Sequence, residues 1–298
     1  MADKKTYTFT NEIDNIEVSS LGARIIMLPE QREDIFVEYD NPKDSPEFLA
    51  VLSGRSLTLK ESFTFKIFGT RTSDDYRITV HLPIHTYQKI KVNTASGGVE
   101  VGEVSADSFS LNTASGDIMV RAFFPEVKLQ SASGCITLIN PNSGADKAVS
   151  LEKDVGAAVD PGAARSLSVC TVSGNATVNG YRAQEFGIHS VSGTTTCTGL
   201  SGKGSVSVTS GSVNLSYDEW NDDLNVSLVS GNVNVELPEN AGIDLTFSGV
   251  SGSVRTDIGQ TKGNFLRLGK GTDTRFGGEN VHKISASLTS GTVTVTQR

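Results

Sequence analysis

The densest cluster of ionisable side chains is Asp218-Glu219-Trp220-Asn221-Asp222-Asp223, which also carries the sole tryptophan. Hard cations such as calcium take clustered carboxylates as ligands. Asp218, Asp222 and Asp223 are therefore the candidate metal ligands, although the EF-hand spacing with its glycine is absent. The same loop is what a carbohydrate-active enzyme would draw on, the least favoured of the functional readings. Four histidines, His81, His85, His189 and His282, show no metal-ligand spacing such as His-Glu-x-x-His. His81 and His85 flank Pro83 and read as surface or cap residues. No Gly-x-Ser-x-Gly elbow occurs, so the many serines are turn residues rather than nucleophiles. Gly202-Lys203-Gly204-Ser205 lacks the upstream glycine and following helix of a phosphate loop. The expectation is a protein that is not an enzyme and needs no cofactor.

A second set of residues suits binding. Asn93, Asn112, Gln130, Cys170, His189, Ser207, Ser227, Ser248 and Ser287 each stand three positions before a recurring serine. They form a polar, uncharged stripe. It offers hydrogen bonds to a glycan or protein partner, or it is a solvated face with side-chain ladders; both readings stay open. Asn93, Asn112, Gln130 and His189 are its candidate binding residues. The glycine-rich loop Gly263–Gly278 adds Lys270 and Arg275, because loops inserted in repeat scaffolds are where binding usually resides.

The elements that position these residues repeat. Val92-Asn93-Thr94-Ala95-Ser96-Gly97 and Leu111-Asn112-Thr113-Ala114-Ser115-Gly116 are the same phrase. Ser-Gly pairs begin at Ser96, Ser115, Ser133, Ser173, Ser192, Ser210, Ser230, Ser251 and Ser290, a period of about 19 residues with two double gaps. Apolar residues sit three and five positions after each serine and four and six before it, as in Val99, Val101, Val92 and Ile90. Alternation by two on both sides is the strand period with one buried face. The Ser-Gly lies between two strands, where glycine tolerates positive φ and serine bonds locally to backbone. The predicted fold is all-β: a single-stranded β-solenoid, or β-helix, of about 19-residue coils with an N-terminal β-rich cap.

The charge balance is 26 basic against 34 acidic residues, net −8, which argues against nucleic acid as a partner. Three cysteines are no disulfide framework. Cys197 falls in an inward register and reads as a core thiol, whereas Cys135 and Cys170 fall outward. The N-terminus lacks an apolar signal region, and Ile25–Leu28 is too short to span a membrane. Sequence alone therefore predicts a cytoplasmic location.

Residues 1–89 lack the Ser-Gly phrase and are expected to form a β cap continuous with a repeat domain at 90–298. Candidate strands there are Tyr7–Thr10, Ile16–Ser19, Arg24–Met27, Ile35–Tyr39, Leu57–Leu59, Phe63–Phe68 and Arg77–Leu82. Insertions are expected near 140–164 and 257–280. The sequence closes in mid-phrase at Val293-Thr294-Val295-Thr296-Gln297-Arg298, which predicts an open sheet edge. Exposed edges tend to pair, so a homo-oligomer through this C-terminal coil is expected; the alternative is that Gln297, Arg298 and loops blunt it.

Two features resemble the bacterial putative-adhesin family, a domain of unknown function. One is the join Tyr76–Val101, where a strand ending Leu82-Pro83 leads into the first Thr-x-Ser-Gly. The other is the close, from Gly277-Gly278 through Ile284–Gln297 with its Thr-Ser-Gly-x-Val-x-Val. The resemblance spans nearly the whole chain and implies stacked coils, an N-terminal cap and a surface protein. It supplies no catalytic residues. The leading expectation is a non-enzymatic binding or scaffold protein for a protein or glycan partner, the alternative a self-assembling structural solenoid.

Overall fold

The computed structural model describes residues 3–41, 47–62, 76–143, 163–239, 241–258, 261–262, 266–267, 272–276 and 280–298. Every regular element among them is a β-strand. No helix among them is long and apolar enough to cross a membrane. The chain divides into two compact units, Met1–Pro141 and Asn142–Arg298.

The first unit is a stack of rungs, each made of two strands joined at a corner. In chain order the rungs are β2 (Asn15–Ser20) with β3 (Arg24–Glu30), and β6 (Ser56–Ser62) with β7 (Arg77–Pro83). Then come β8 (Thr86–Thr94) with β9 (Val99–Val101), β10 (Ser105–Ser115) with β11 (Ile118–Arg121), and β12 (Glu126–Ser133) with β13 (Ile136–Ile139). Pairing between rungs is parallel and in step: Phe109 stands beside Ile90 on one side and Val127 on the other. Strand alternation turns Ile90, Val92, Phe109, Leu111, Val127 and Leu129 inward, where all are buried.

The stacking order is not the chain order. β2 pairs with both β6 and β8, and β3 with both β7 and β9. The first rung in sequence therefore lies between the second and the third. The outer edge of the β6–β7 rung is covered by antiparallel strands, β5 (Glu47–Ser53) on β6 and β4 (Ile35–Asn41) on β7, with β1 (Asp3–Phe9) on β4. β5 escaped the sequence reading; within it Phe48 is buried while Val51 is exposed, a half-covered strand. The expected strand Phe63–Phe68 lies outside the described residues.

The second unit repeats this arrangement. β14 (Ala163–Thr171) and β15 (Ala176–Asn179) form one rung; β16 (Arg182–Leu200), β17 (Lys203–Tyr217) and β18 (Leu224–Leu237) each form a rung without a break at the corner. Next in sequence are β19 (Ala241–Gly249) with β20 (Ser253–Ile258), the short β21 (Thr261–Lys262) and β22 (Leu266–Arg267), and β23 (Thr272–Phe276). The last rung is β24 (Asn280–Leu288) with β25 (Thr292–Gln297). Of the two expected insertions, residues 144–162 and much of Gly263–Gly278 lie outside the described residues.

Here the expectation of an open C-terminal edge is corrected. β24 and β25 pair with β18 on one side and with β19 and β20 on the other. Val293 has Val233 and Val254 as its two neighbours. Gln297 Nε2 donates to the Ala241 carbonyl (2.8 Å) and Arg298 Nη2 to the Tyr217 carbonyl (2.8 Å). The strand that sequence leaves open is thus bonded along both edges. The outer rung is β19–β20, covered by antiparallel β23 on β19 and by β21 and β22 on β20.

Candidate functional site

Each corner must reverse the chain without exposing its backbone groups to the core, and short hydroxyl side chains do this locally. The Gly97 N–H donates to Thr94 Oγ1 (3.0 Å), and the Ala23 N–H donates to Ser20 Oγ (2.8 Å). Thr94, Thr113 and Ser131 occupy equivalent positions on successive rungs, and all are buried. One position nearer the serine stand Ala95, Ala114 and Ala132, small and exposed. In the second unit the corresponding positions carry the exposed valines Val172, Val191, Val229 and Val250 and the exposed threonines Thr209 and Thr289.

Small residues leave a depression. A groove of about 590 Å³ runs across the corners of the first unit. Ser19, Ser20 and Leu21 line it from the first rung, Asn93–Ala95 and Asn112–Ala114 from the next two, and Ala132 from the last. Asn112 Nδ2 donates to Asn93 Oδ1 (3.1 Å), and Asn93 Nδ2 donates to Glu17 Oε1 (3.1 Å) and Ser19 Oγ (3.3 Å). The amides are thereby fixed in one orientation along the wall.

Glu61 closes the groove. Among the described residues it is the one buried charged side chain. Its Oε2 accepts the Leu21 N–H (2.6 Å) and the Ser20 hydroxyl (3.1 Å), and its Oε1 accepts the Tyr76 hydroxyl. Charged acceptors make such bonds strong; without this one the Leu21 N–H and the Tyr76 hydroxyl would lose their acceptor, whereas the Ser20 hydroxyl also reaches the Ala23 carbonyl (3.3 Å). Burial first, and the bond to Glu61 second, push the Tyr76 hydroxyl far above the ordinary tyrosine range. The sequence reading missed Glu61. The signal was available: Leu57, Leu59 and Glu61 share one inward register of β6.

Of the residues singled out from sequence, Asn93 and Asn112 come together in this groove. Gln130 stands beside Asn112 on the next rung, outside the lining. His189 belongs to the second unit, exposed beside Cys170 and Ser207. Lys270 lies outside the described residues. Arg275 falls in β23 opposite Asp244, and its side chain is likewise outside the description.

The acidic loop is tied into the fold. Asp218 pairs with Arg298 (3.0 Å), Asp222 Oδ1 accepts the Asp223 N–H (2.7 Å), and Asp223 Oδ1 accepts the Lys283 N–H (2.7 Å). Trp220 is buried, donates through Nε1 to the Gly242 carbonyl (2.9 Å) and packs edge-on to Tyr217. Among the described residues no group of three or more His, Cys, Asp or Glu side chains is placed to hold a metal ion. His81 lies between carboxylates, with Nδ1 2.5 Å from Glu30 and Nε2 3.7 Å from Glu38.

The groove thus offers amides, hydroxyls, methyl groups and one engaged carboxylate. Ser20 touches Glu61, but its hydroxyl already caps the corner, and no histidine lines the groove. Among its lining residues no side-chain pair is arranged as nucleophile and base.

The sequence matches the Toastrack DUF4097 family over residues 13–296. No curated protein matches it. Among solved structures, the chain is similar to a putative adhesin from Bacteroides fragilis at 12% identity, covering 98% of this chain and 97% of that one with a TM-score of 0.42. It is similar also to a putative adhesin from Parabacteroides distasonis at 13% identity, covering 99% and 97%, with a TM-score of 0.41.

Proposed function

We propose that this chain, which belongs to the Toastrack DUF4097 family, is a non-enzymatic, adhesin-type binding protein that holds a protein or glycan partner in the corner groove of its first unit. The observation that carries this reading is the ordered amide ladder from Asn112 through Asn93 to Glu17 along a groove floored by small residues. Polar groups already held by their neighbours lose little freedom on binding, so their hydrogen bonds contribute more to affinity. Each rung is one coil of about 19 residues in this reading, as the register of Phe109 between Ile90 and Val127 supports.

The full chain is applied to a glycan array and used as bait in a pull-down, beside the variants Ala114→Arg and Asn93→Ala/Asn112→Ala. A long side chain at Ala114 fills the groove and should abolish retention, while loss of the amides should weaken it about tenfold or more, as two lost hydrogen bonds imply. Full retention by Ala114→Arg would move the site elsewhere. Retention of nothing by the wild type would end the binding reading.

A further inference from the structure

In both units the rung nearest the chain's end is not the outermost layer. Val18 of the first rung stands between Leu59 and Val92, and Met27 between Val80 and Val101. Val295 of the last rung stands between Val235 and Thr256. The outer layers, β6–β7 and β19–β20, are segments from within the chain. Their parallel neighbours are the intercalated rungs, and antiparallel strands cover their other edges.

The connections permit this. The Leu237-to-Ala241 link skips a layer, and so does the Pro83-to-Thr86 link. Parallel neighbours are about 4.8 Å apart, so skipping one layer requires roughly 10 Å. Three or four Cα steps of 3.8 Å reach at most about 11 to 15 Å. Both short links suffice.

We infer that these interlocked ends give the protein a mechanical function: it bears tension applied through its two ends. A terminal rung lying outermost would unzip from one neighbour, bond by bond. An intercalated rung must break its ladders to both neighbours together, and its buried side chains lose contacts on both sides. Once β24–β25 leaves, β19–β20 retains only its antiparallel cover, so residues 241–298 release as one block. Residues 15–83 release likewise when β2–β3 leaves, after β1 has peeled from its one partner among the described strands, β4. The inference goes beyond the binding reading and does not depend on the groove.

Single-molecule pulling on the full chain, with handles at both ends, tests it. The expected trace holds until one rupture frees residues 241–298, a gain on the order of 200 Å of extended chain. Once β1 has peeled from β4, the N-terminal block of residues 15–83 gives a second rupture on the order of 230 Å. Steps of about 65 Å, the length of a single rung, starting from either end would overturn the inference. Native-state hydrogen exchange gives an independent reading without handles. Amides of β20 and β25 are expected to open with the same denaturant dependence; exchange of β25 in a smaller, earlier opening than β20 would overturn it.

Discussion

The carbonyl oxygen of Gly211 stands 2.1 Å from the point that a Cβ on Gly231 would occupy. Rungs therefore meet backbone to backbone at the corner, and a side chain there has nowhere to go. Gly231 also has φ of 114°, a region L-residues rarely adopt. The Ser-Gly phrase is consequently a stacking requirement as well as a turn signal. Gly231→Ala is expected to cost about 2–4 kcal/mol from clash and backbone strain together. Gly187→Ala is the control, because a Cβ at Gly187 meets nothing within 4 Å. Urea midpoints that fall equally for the two variants would show that the close approach at Gly231 is unimportant.

Glu61→Ala takes the acceptor from the Leu21 N–H and the Tyr76 hydroxyl, while the Ser20 hydroxyl can still turn to the Ala23 carbonyl (3.3 Å). Each unsatisfied donor costs about 1–3 kcal/mol, so a total loss of roughly 3 kcal/mol or more is expected in chemical denaturation. Glu61→Gln keeps an acceptor oxygen and should lose less than half of that. Equal losses for the two would mean that the carboxylate shape, rather than its acceptors, holds the corner. Tyr76→Phe, which removes one donor together with its need for an acceptor, is expected to be the mildest of the three.

The rung pattern was legible because it rests on short-range physics: alternation by two and a glycine where chains touch. Val293 and Val295 were rightly placed inward by spacing alone. Their neighbours were not legible. Val233-x-Val235 and Val254-x-Thr256 present nearly the same edge, so periodicity cannot say which rung a strand joins. That choice depends on link lengths and volumes across the chain, such as the small Ala286 beside the bulky Phe247. The groove was half legible for a related reason. Asn93 and Asn112 share a register and announce themselves, whereas Glu61 comes from a rung without the repeated phrase and only its inward phase betrays it. Trp220, although flanked by acidic residues, has a core side chain.

The Glu30 carboxyl is held below its ordinary value of 4.5, chiefly by its hydrogen bond with His81 and then by Arg32, with desolvation opposing. A depressed folded pKa means that the stabilisation is complete above the unfolded value and lost as pH falls through the folded one. Glu30 is 41% exposed, so water screens the pair and the effect is small. Wild type should exceed Glu30→Gln in urea midpoint at pH 7, and the gap should shrink as pH falls below the ordinary value of 4.5. Salt at about 1 M should narrow the gap at pH 7, because it screens exposed charges within a few ångströms. A gap that persisted unchanged to pH 3 would assign Glu30 a packing role instead.

The three cysteines differ in reach rather than in kind. Cys135 is exposed, Cys170 partly so, and Cys197 is buried. Burial also pushes the Cys197 thiol up to about 12, which suppresses the thiolate that reacts with disulfide reagents. An aromatic disulfide reagent at pH 8 should therefore titrate one thiol quickly and a second slowly, with the third appearing only in denaturant. Because Cys197 stands beside Val178 on one rung and Leu215 on the next, its exposure requires those rungs to separate. Its labelling rate in rising urea should then follow unfolding of the second unit as seen by Trp220 fluorescence. Labelling at a urea concentration that leaves Trp220 buried would place an opening inside the stack before its unfolding.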